Sequence, residues 1–495
     1  MAKQATSFGL TLPSRGPGTP AYRWLYEALR REILEGRLRP GARLPATRDL
    51  ARQYGLARGT IVNAFEQLKS EGYAEGSVGS GTYVSKVLPD ELLHVRGEAT
   101  ERVPTRKIRR RLSQYARQVV PFPLFELRPL RAFRANQPAL DLFPMDVWTQ
   151  ISARRLRRAS TALLLGCSPM GYRPLRQAVA DYLNASRGVK CTSEQVAMVS
   201  GVQEALDMAA RLFLDPGDTV YMENPGYVGA TIAFQAMGAK IRPASLDEEG
   251  IELRAQLRKA KVIYVTPGHQ FPLGITMSLA RRLELLEWAR QSGAVIFEDD
   301  YDSEYRYAGR PVPALQGLDR DGLVIYAGTF SKVLFPSLRL GYMVIPQDLV
   351  ERFAAMKSMT SRHAPVLEQA VLCDFISEGH FGRHIRRMRE VYAERLAILL
   401  ECARERLSGL MEVAAIEAGL QTVGWLQGKL KAEEVAAAAL ERGVEMIPLA
   451  RFTQGRVKRE GLQMGFAAVD GREIRRGVEE LERLLSTGRS AASES

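Results

Sequence analysis

Cysteine is scarce in this 495-residue chain: Cys167, Cys191, Cys373 and Cys402 stand alone, with no Cys-x-x-Cys spacing. A disulfide framework and a thiolate zinc site are therefore not expected, and no metal is predicted. Long apolar runs are lacking too. None approaches the ~18 residues a membrane span needs, and the N-terminus has no charged-then-apolar leader pattern. A soluble, cytoplasmic protein with no membrane partner is the expectation. Acidic residues are under-represented at one end: residues 1–120 hold 21 Lys/Arg against 11 Asp/Glu, which is +10 of the chain's net +13. A basic front on a nearly neutral body points to a polyanion bound there.

What remains is ordinary globular protein, 46% hydrophobic and 25% charged. The chain is too long for one core, so a small domain followed by a larger one is expected. In the first, Leu25, Leu29 and Ile33 recur at helical spacing and Gly36-Arg37-Leu38-Arg39-Pro40-Gly41 breaks the helix. Thr47 is placed to cap a second helix, Arg48 to Tyr54, ended by Gly55. Arg58-Gly59-Thr60 opens a third, Thr60 to Glu71, burying Ile61, Ala64, Phe65 and Leu68 and leaving Thr60 and Asn63 on the opposite face. Helix, turn, helix with Arg58 at the mouth of the second suits the major groove. Tyr73-Ala74-Glu75 and Gly81-Thr82-Tyr83-Val84-Ser85 then read as a hairpin with a glycine-rich tip.

Pro40-Gly41-Ala42-Arg43-Leu44-Pro45, Glu71-Gly72-Tyr73 and Gly79-Ser80-Gly81-Thr82 resemble the winged helix-turn-helix of GntR-type bacterial regulators, over most of residues 20–85. The resemblance implies that Arg43, Arg48, Arg58, Thr60 and the wing at Gly81 contact double-stranded operator DNA. Residues 1–85 are thus read as the DNA-binding domain. Residues 86–128, with Arg106-Lys107-Ile108-Arg109-Arg110-Arg111 and four nearby prolines, are read as a basic flexible linker. Roughly 40 flexible residues span about 35 Å, close to the ~34–36 Å between half-sites one DNA turn apart.

From 129 to 488, helical segments alternate with short apolar runs: Val196–Val199, Thr219–Met222, Val262–Val265, Ala294–Phe297 and Leu323–Tyr326. This predicts an α/β domain with a mostly parallel sheet covered on both faces. A polar or glycine cluster follows each run, where such sheets place ligands. Ser200-Gly201-Val202-Gln203 offers the amides of Val202 and Gln203 at a helix start to a phosphate. Tyr227 offers a flat surface for ring stacking. Glu298-Asp299-Asp300-Tyr301 ends one strand and Gly328-Thr329-Phe330-Ser331-Lys332 the next, with Arg339 seven residues on. Lysine, carboxylate and phenol suit a pyridoxal ring: a Schiff base, a partner for the ring nitrogen, and a partner for the ring oxygen. Asp300 and Asp302 read as surface acids, and residues 489–495 as a disordered tail.

The wording His269-Gln270-Phe271-Pro272, Glu298 to Glu304 and Ser337-Leu338-Arg339-Leu340-Gly341-Tyr342 resembles the MocR branch of GntR regulators. In these a winged helix is fused to a fold-type I, class I aminotransferase-like domain. The resemblance implies pyridoxal 5'-phosphate as an internal aldimine on Lys332, Asp299 at the ring nitrogen, Tyr301 at the ring oxygen and Tyr227 stacked on the ring. Val202, Gln203, Thr329 and Arg339 receive the phosphate, and the protein is a head-to-tail homodimer. Three positions depart from a working aminotransferase. Gln463 stands where such enzymes fork an arginine onto the substrate carboxylate, Phe271 where they place an asparagine, and Gly166 where a tyrosine reaches across the dimer. These departures favour a regulator that senses pyridoxal phosphate, or an amino compound joined to it as an aldimine, and point to control of vitamin B6 or amino-compound metabolism. The alternative is an active aminotransferase carrying a DNA-binding appendage.

Overall fold

The computed structural model describes residues 12–16, 18–77, 81–88, 111–121, 129–253, 259–309 and 312–493, without the side chains of Ser77 and of 488–493. It divides into two compact units, residues 1–110 and 111–495. In the first, α1 (Ala21–Leu34), α2 (Thr47–Tyr54) and α3 (Arg58–Ser70) precede an antiparallel hairpin of β1 (Ala74–Ser77) and β2 (Gly81–Val84). Leu25, Leu29 and Ile33 from α1 meet Leu50, Ile61, Phe65, Leu68 and Val84 in one core. The apolar residues of α3 recur at three- and four-residue steps, so burying them leaves its other face to solvent. Thr47 is the first residue of α2 and makes no side-chain cap; Ala46 holds the cap position. Gly79 and Ser80 of the wing lie outside the described residues.

Of the stretch expected as linker, residues 89–110, with most of the arginine run, and 122–128 lie outside the described residues. Residues 114–118 form one helical turn capped by Ser113, and the Tyr115 ring lies 5.4 Å from the Arg211 guanidinium. A capped turn stacked on a neighbouring helix is more order than the proline spacing suggested.

The second unit is built on a seven-stranded sheet. Its strands are β3 (Val196–Val199), β4 (Thr219–Glu223), β5 (Lys240–Ala244), β8 (Val262–Val265), β9 (Val295–Asp300), β10 (Val324–Thr329) and β11 (Gly341–Val344). They lie in the order β3-β11-β10-β9-β8-β4-β5. The two-residue strands β6 (Leu246–Asp247) and β7 (Gly250–Ile251) pair with each other beside it. All large-sheet pairings are parallel except those of β11, which runs against both β10 and β3. The five expected apolar runs all become strands, because helices cover both faces and leave no side for alternating polar residues. Two strands of this seven-stranded sheet were not foreseen. β5 is a largely exposed edge strand, Lys-Ile-Arg-Pro-Ala, and β11 follows directly on the arginine motif.

A second, antiparallel sheet runs β12 (Met411–Val413), β13 (Gln421–Leu426), β15 (Gly461–Gly465), β14 (Ile447–Pro448). The segment Ala132–Phe133 bridges to its edge at Val444 and Gly465. The closing helix Gly471–Ser493 runs past residue 488, where a tail was expected, since Ser-Thr-Gly-Arg-Ser-Ala-Ala-Ser continues its hydrogen-bond ladder. Among the described residues no helix is long and apolar enough to cross a membrane.

Candidate functional site

Strand order brings the expected pocket residues to one edge of the large sheet. β10 and β9 run parallel with Ala327 opposite Asp299, so the residues following both strands emerge side by side. Gly341 of β11 pairs with both Thr329 and Val199, which sets Arg339 between the lysine loop and the turn after β3. That turn carries Gly201 at φ +132, which a side chain would strain, and Val202 starts a twelve-residue helix directly after it. The exposed Arg339, itself left-handed at φ +49, lays its guanidinium against Gly201; a Cβ there would sit 3.4 Å from Nη2. Free helix N–H groups, a guanidinium and nearby hydroxyls form an anion cradle. Thr329 and Ser331 supply the hydroxyls: Thr329 Oγ1 accepts from Ser331 N (3.1 Å), and Ser331 Oγ is buried without a partner among the described residues. Ser331 was not among the expected phosphate groups, although it lies next to the lysine in the sequence. Gln203 donates to the Gly229 carbonyl (3.0 Å), so its side chain braces the next helix beside the cradle.

Asp299 is buried, accepts from the Tyr264 hydroxyl at 2.7 Å through Oδ2, and leaves Oδ1 without a partner among the described residues. Burial raises its carboxyl to about 7, opposed by the Tyr264 bond and reinforced by the neighbouring acids Asp300, Asp302 and Glu223. A carboxylate this uncomfortable gains most from a cationic nitrogen. Lys332 donates to the Asn136 carbonyl (2.7 Å), and burial lowers its ammonium to about 8 against the pull of Asp302 and Asp299. The Tyr301 hydroxyl lies 3.0 Å from His269 Nδ1, which lies 3.0 and 3.1 Å from the two Asp302 oxygens. Tyr227 and Tyr301 both meet the ring of Phe271 edge-on, at 5.7 and 5.9 Å, and Phe452 packs on it at 5.1 Å.

Asp300 and Asp302 are not surface acids. They are 6% and 1% exposed. The Arg187 guanidinium pairs with Asp300 at 2.7 Å and the Tyr326 hydroxyl donates to the same carboxylate, holding its ionisation below the ordinary range despite burial. Asp302 is occupied by His269. Sequence reasoning also missed Tyr264, His269, Asn136 and Gln421. His269 alone left a signal, in its position before Gln270-Phe271-Pro272.

Each departure from the enzyme pattern has a structural counterpart. Gly166 sits at φ +106, and a Cβ on it would fall 2.7 Å from His363 Nε2, so a tyrosine does not fit that backbone. Phe271 fills its place with apolar ring edges. Gln463 is completely buried, and neither amide atom has a partner among the described residues.

In the head, Arg43, Arg48, Arg58 and Asn63 are exposed, and Thr60 and Gly81 partly so. Arg58 is the first residue of α3. Arg43 bridges to Tyr83, and its guanidinium lies against Gly81, where an added Cβ would be 2.8 Å from Nε. Arg43, in the loop before α2, and Gly81, at the start of β2, therefore lie side by side.

Residues 132–481 match the family described as aminotransferase class I and II, and residues 21–84 match bacterial regulatory proteins of the gntR family. The chain is 40% identical over 94% of its length, and 94% of the relative's, to a protein of Rhizobium meliloti named as probable rhizopine catabolism regulatory protein MocR. It is 29% identical to the pyridoxine biosynthesis transcriptional regulator PdxR of Corynebacterium glutamicum, covering 94% of this chain and 96% of that one. Among solved structures, α-aminoadipate aminotransferase LysN of Thermus thermophilus, complexed with N-(5'-phosphopyridoxyl)-L-leucine, superposes with TM-score 0.70 at 29% identity over 77% of this chain and 98% of that one. An orphaned buried carboxylate oxygen, a depressed lysine and an anion cradle fit pyridoxal 5'-phosphate, and the family binds that cofactor. The chain belongs to the MocR-type GntR regulators, in which a DNA-binding winged helix is joined to an aminotransferase class I and II domain.

Proposed function

We propose that the large domain is a signal receiver for the DNA-binding head, answering to pyridoxal phosphate itself or to an amino compound captured beside it. When bound, the cofactor supplies an amine-reactive aldehyde and an electron-withdrawing ring. Lys332 holds it through its side-chain nitrogen, Asp299 keeps a proton on the ring nitrogen, and Tyr301, steadied by His269 and Asp302, bonds the ring oxygen. Tyr227 covers the ring face. Val202, Gln203, Thr329 and Arg339 take the phosphate. The observation that carries the sensor reading is Gln463: a set of cofactor-holding groups stands with a neutral amide on the strand where an enzyme would grip its substrate's carboxylate.

Arg43, Arg48, Arg58, Thr60, Asn63 and Gly81 contact operator DNA in the cytoplasm. Two copies pair head to tail. Supporting this, Leu164 and Leu165, just before the turn at Gly166 that lies against His363, are 66% and 84% exposed, and Met359, four residues before His363, is 87% exposed. The relatives named for rhizopine catabolism and pyridoxine biosynthesis support a small-molecule signal. The test is sustained transamination: the cofactor-loaded chain, given an amino acid and keto acid in large excess, converts no more than about one equivalent per site. Continued turnover that Lys332→Ala abolishes would make the chain an enzyme with a DNA-binding appendage.

A further inference from the structure

The lysine, the second sheet and Gln463 are joined by a short chain of contacts. Lys332 Nζ donates to the Asn136 carbonyl (2.7 Å), and Asn136 N donates to Gln421 Oε1 (3.0 Å). Gln421 also lies against the Tyr301 hydroxyl. On the sheet, Gln421 of β13 is opposite Gly465 of β15, and Gln463 is opposite Val423. Paired residues, and residues two apart on a strand, share a face, so the two glutamines are diagonal neighbours roughly 7–8 Å apart. Leu462 and Met464 face the other way, into the main core. Gln463 therefore stands on the face that leads to the lysine.

Both its amide atoms are buried without a partner among the described residues, which is unfavourable unless a ligand completes them. The guanidiniums of the neighbouring segments are already engaged. Arg134, on the strand-edge segment, lies 3.7 Å from Glu445, and Arg395 donates to the Ala467 carbonyl. A carboxylate placed here would lose its water and gain only a neutral N–H. A hydroxyl or carboxamide would both accept from Nε2 and donate to Oε1.

We propose that Gln463 selects primary amines whose second functional group is a neutral donor–acceptor, a hydroxyl or carboxamide, over amino acids bearing a carboxylate there. This rests on the sensor reading and names the chemical class of its signal. The amine lies toward Lys332 and the neutral group toward Gln463, with Asn136 and Gln421 lining the path.

Three amines of one carbon skeleton test it: alanine, alaninamide and 2-aminopropan-1-ol, titrated calorimetrically into the full-length, pyridoxal-phosphate-loaded chain. The amide and alcohol bind on the order of 100-fold more tightly than alanine. Gln463→Arg reverses the order, while Gln463→Leu weakens the neutral pair without helping alanine. The visible band of bound cofactor shows that each variant's pocket is intact, and if a variant loses it the wild-type series decides alone. Alanine binding as tightly as its amide, or an order indifferent to Gln463→Arg, overturns the proposal and leaves the sensor reading standing. Cofactor uptake with no heat from any amine also overturns it, in favour of the cofactor as sole signal. A chain that takes up no pyridoxal phosphate refutes the sensor reading itself.

Discussion

Replacing Asp299 with asparagine should strengthen the free chain and weaken its hold on the cofactor, and both effects can be sized. Asp299 is completely enclosed, with one oxygen bonded by Tyr264 and the other orphaned. Its carboxyl is raised from 3.8 to about 7, chiefly by burial. A raised acid contributes stability below its unfolded value and loses it as pH climbs to the folded value. Some three units at 1.36 kcal/mol each give a loss of order 4 kcal/mol between pH 4 and 7. The asparagine side chain cannot ionise and escapes that loss, so urea unfolding of the cofactor-free proteins should show Asp299→Asn gaining on wild type as pH rises from 5 to 7.5. With cofactor present the sign reverses. The variant forfeits a charge-assisted bond to the ring nitrogen, about 1.5–3 kcal/mol, or on the order of 10- to 100-fold in affinity. Visible absorbance at graded pyridoxal phosphate concentrations measures it. Equal cofactor affinity in the two proteins, or a stability difference flat with pH, would refute the assignment.

Three further outcomes follow from the same geometry. Lys332, lowered to about 8, is roughly one-quarter deprotonated at pH 7.5 against about one in a thousand for an ordinary lysine. Cofactor uptake by the free chain should therefore accelerate as pH rises through 8 and level off above it, and stopped-flow absorbance reads this directly. Arg187→Ala leaves the enclosed Asp300 without its guanidinium and should cost about 3–5 kcal/mol in chemical denaturation. Arg187→Met combined with Asp300→Asn should recover much of that. Arg58→Ala should weaken operator binding across sequences and reduce the slope of log affinity against log salt by about one, measured by fluorescence anisotropy.

The elements legible in the sequence were those written in local pattern. Apolar runs enclosed on both faces announced β3, β4, β8, β9 and β10, and the polar residues ending each run marked the sheet edge where Lys332, Asp299 and Gly201 meet. Hidden were the consequences of contact at a distance. Asp300 looked like a surface acid because its guanidinium partner is Arg187, on a different element 113 positions earlier. Tyr264 became a partner of Asp299 only through the pairing of β8 with β9. Asn136 and Gln421, 285 positions apart, meet because the segment after Ala132 crosses to the second sheet. The departure at Gln463 was visible as a missing arginine; that its amide is buried with both atoms unmet needed the neighbouring strands.

On the proposed reading, filling the pocket changes how tightly the head holds DNA. Equilibrium affinity for operator DNA, measured on the full-length protein with and without pyridoxal phosphate and an added amine, reads that coupling. A coupling of 1–3 kcal/mol predicts a change of about 5- to 150-fold in wild type that disappears in Lys332→Ala. Identical operator affinity in every state of the pocket would show that pocket and head are uncoupled.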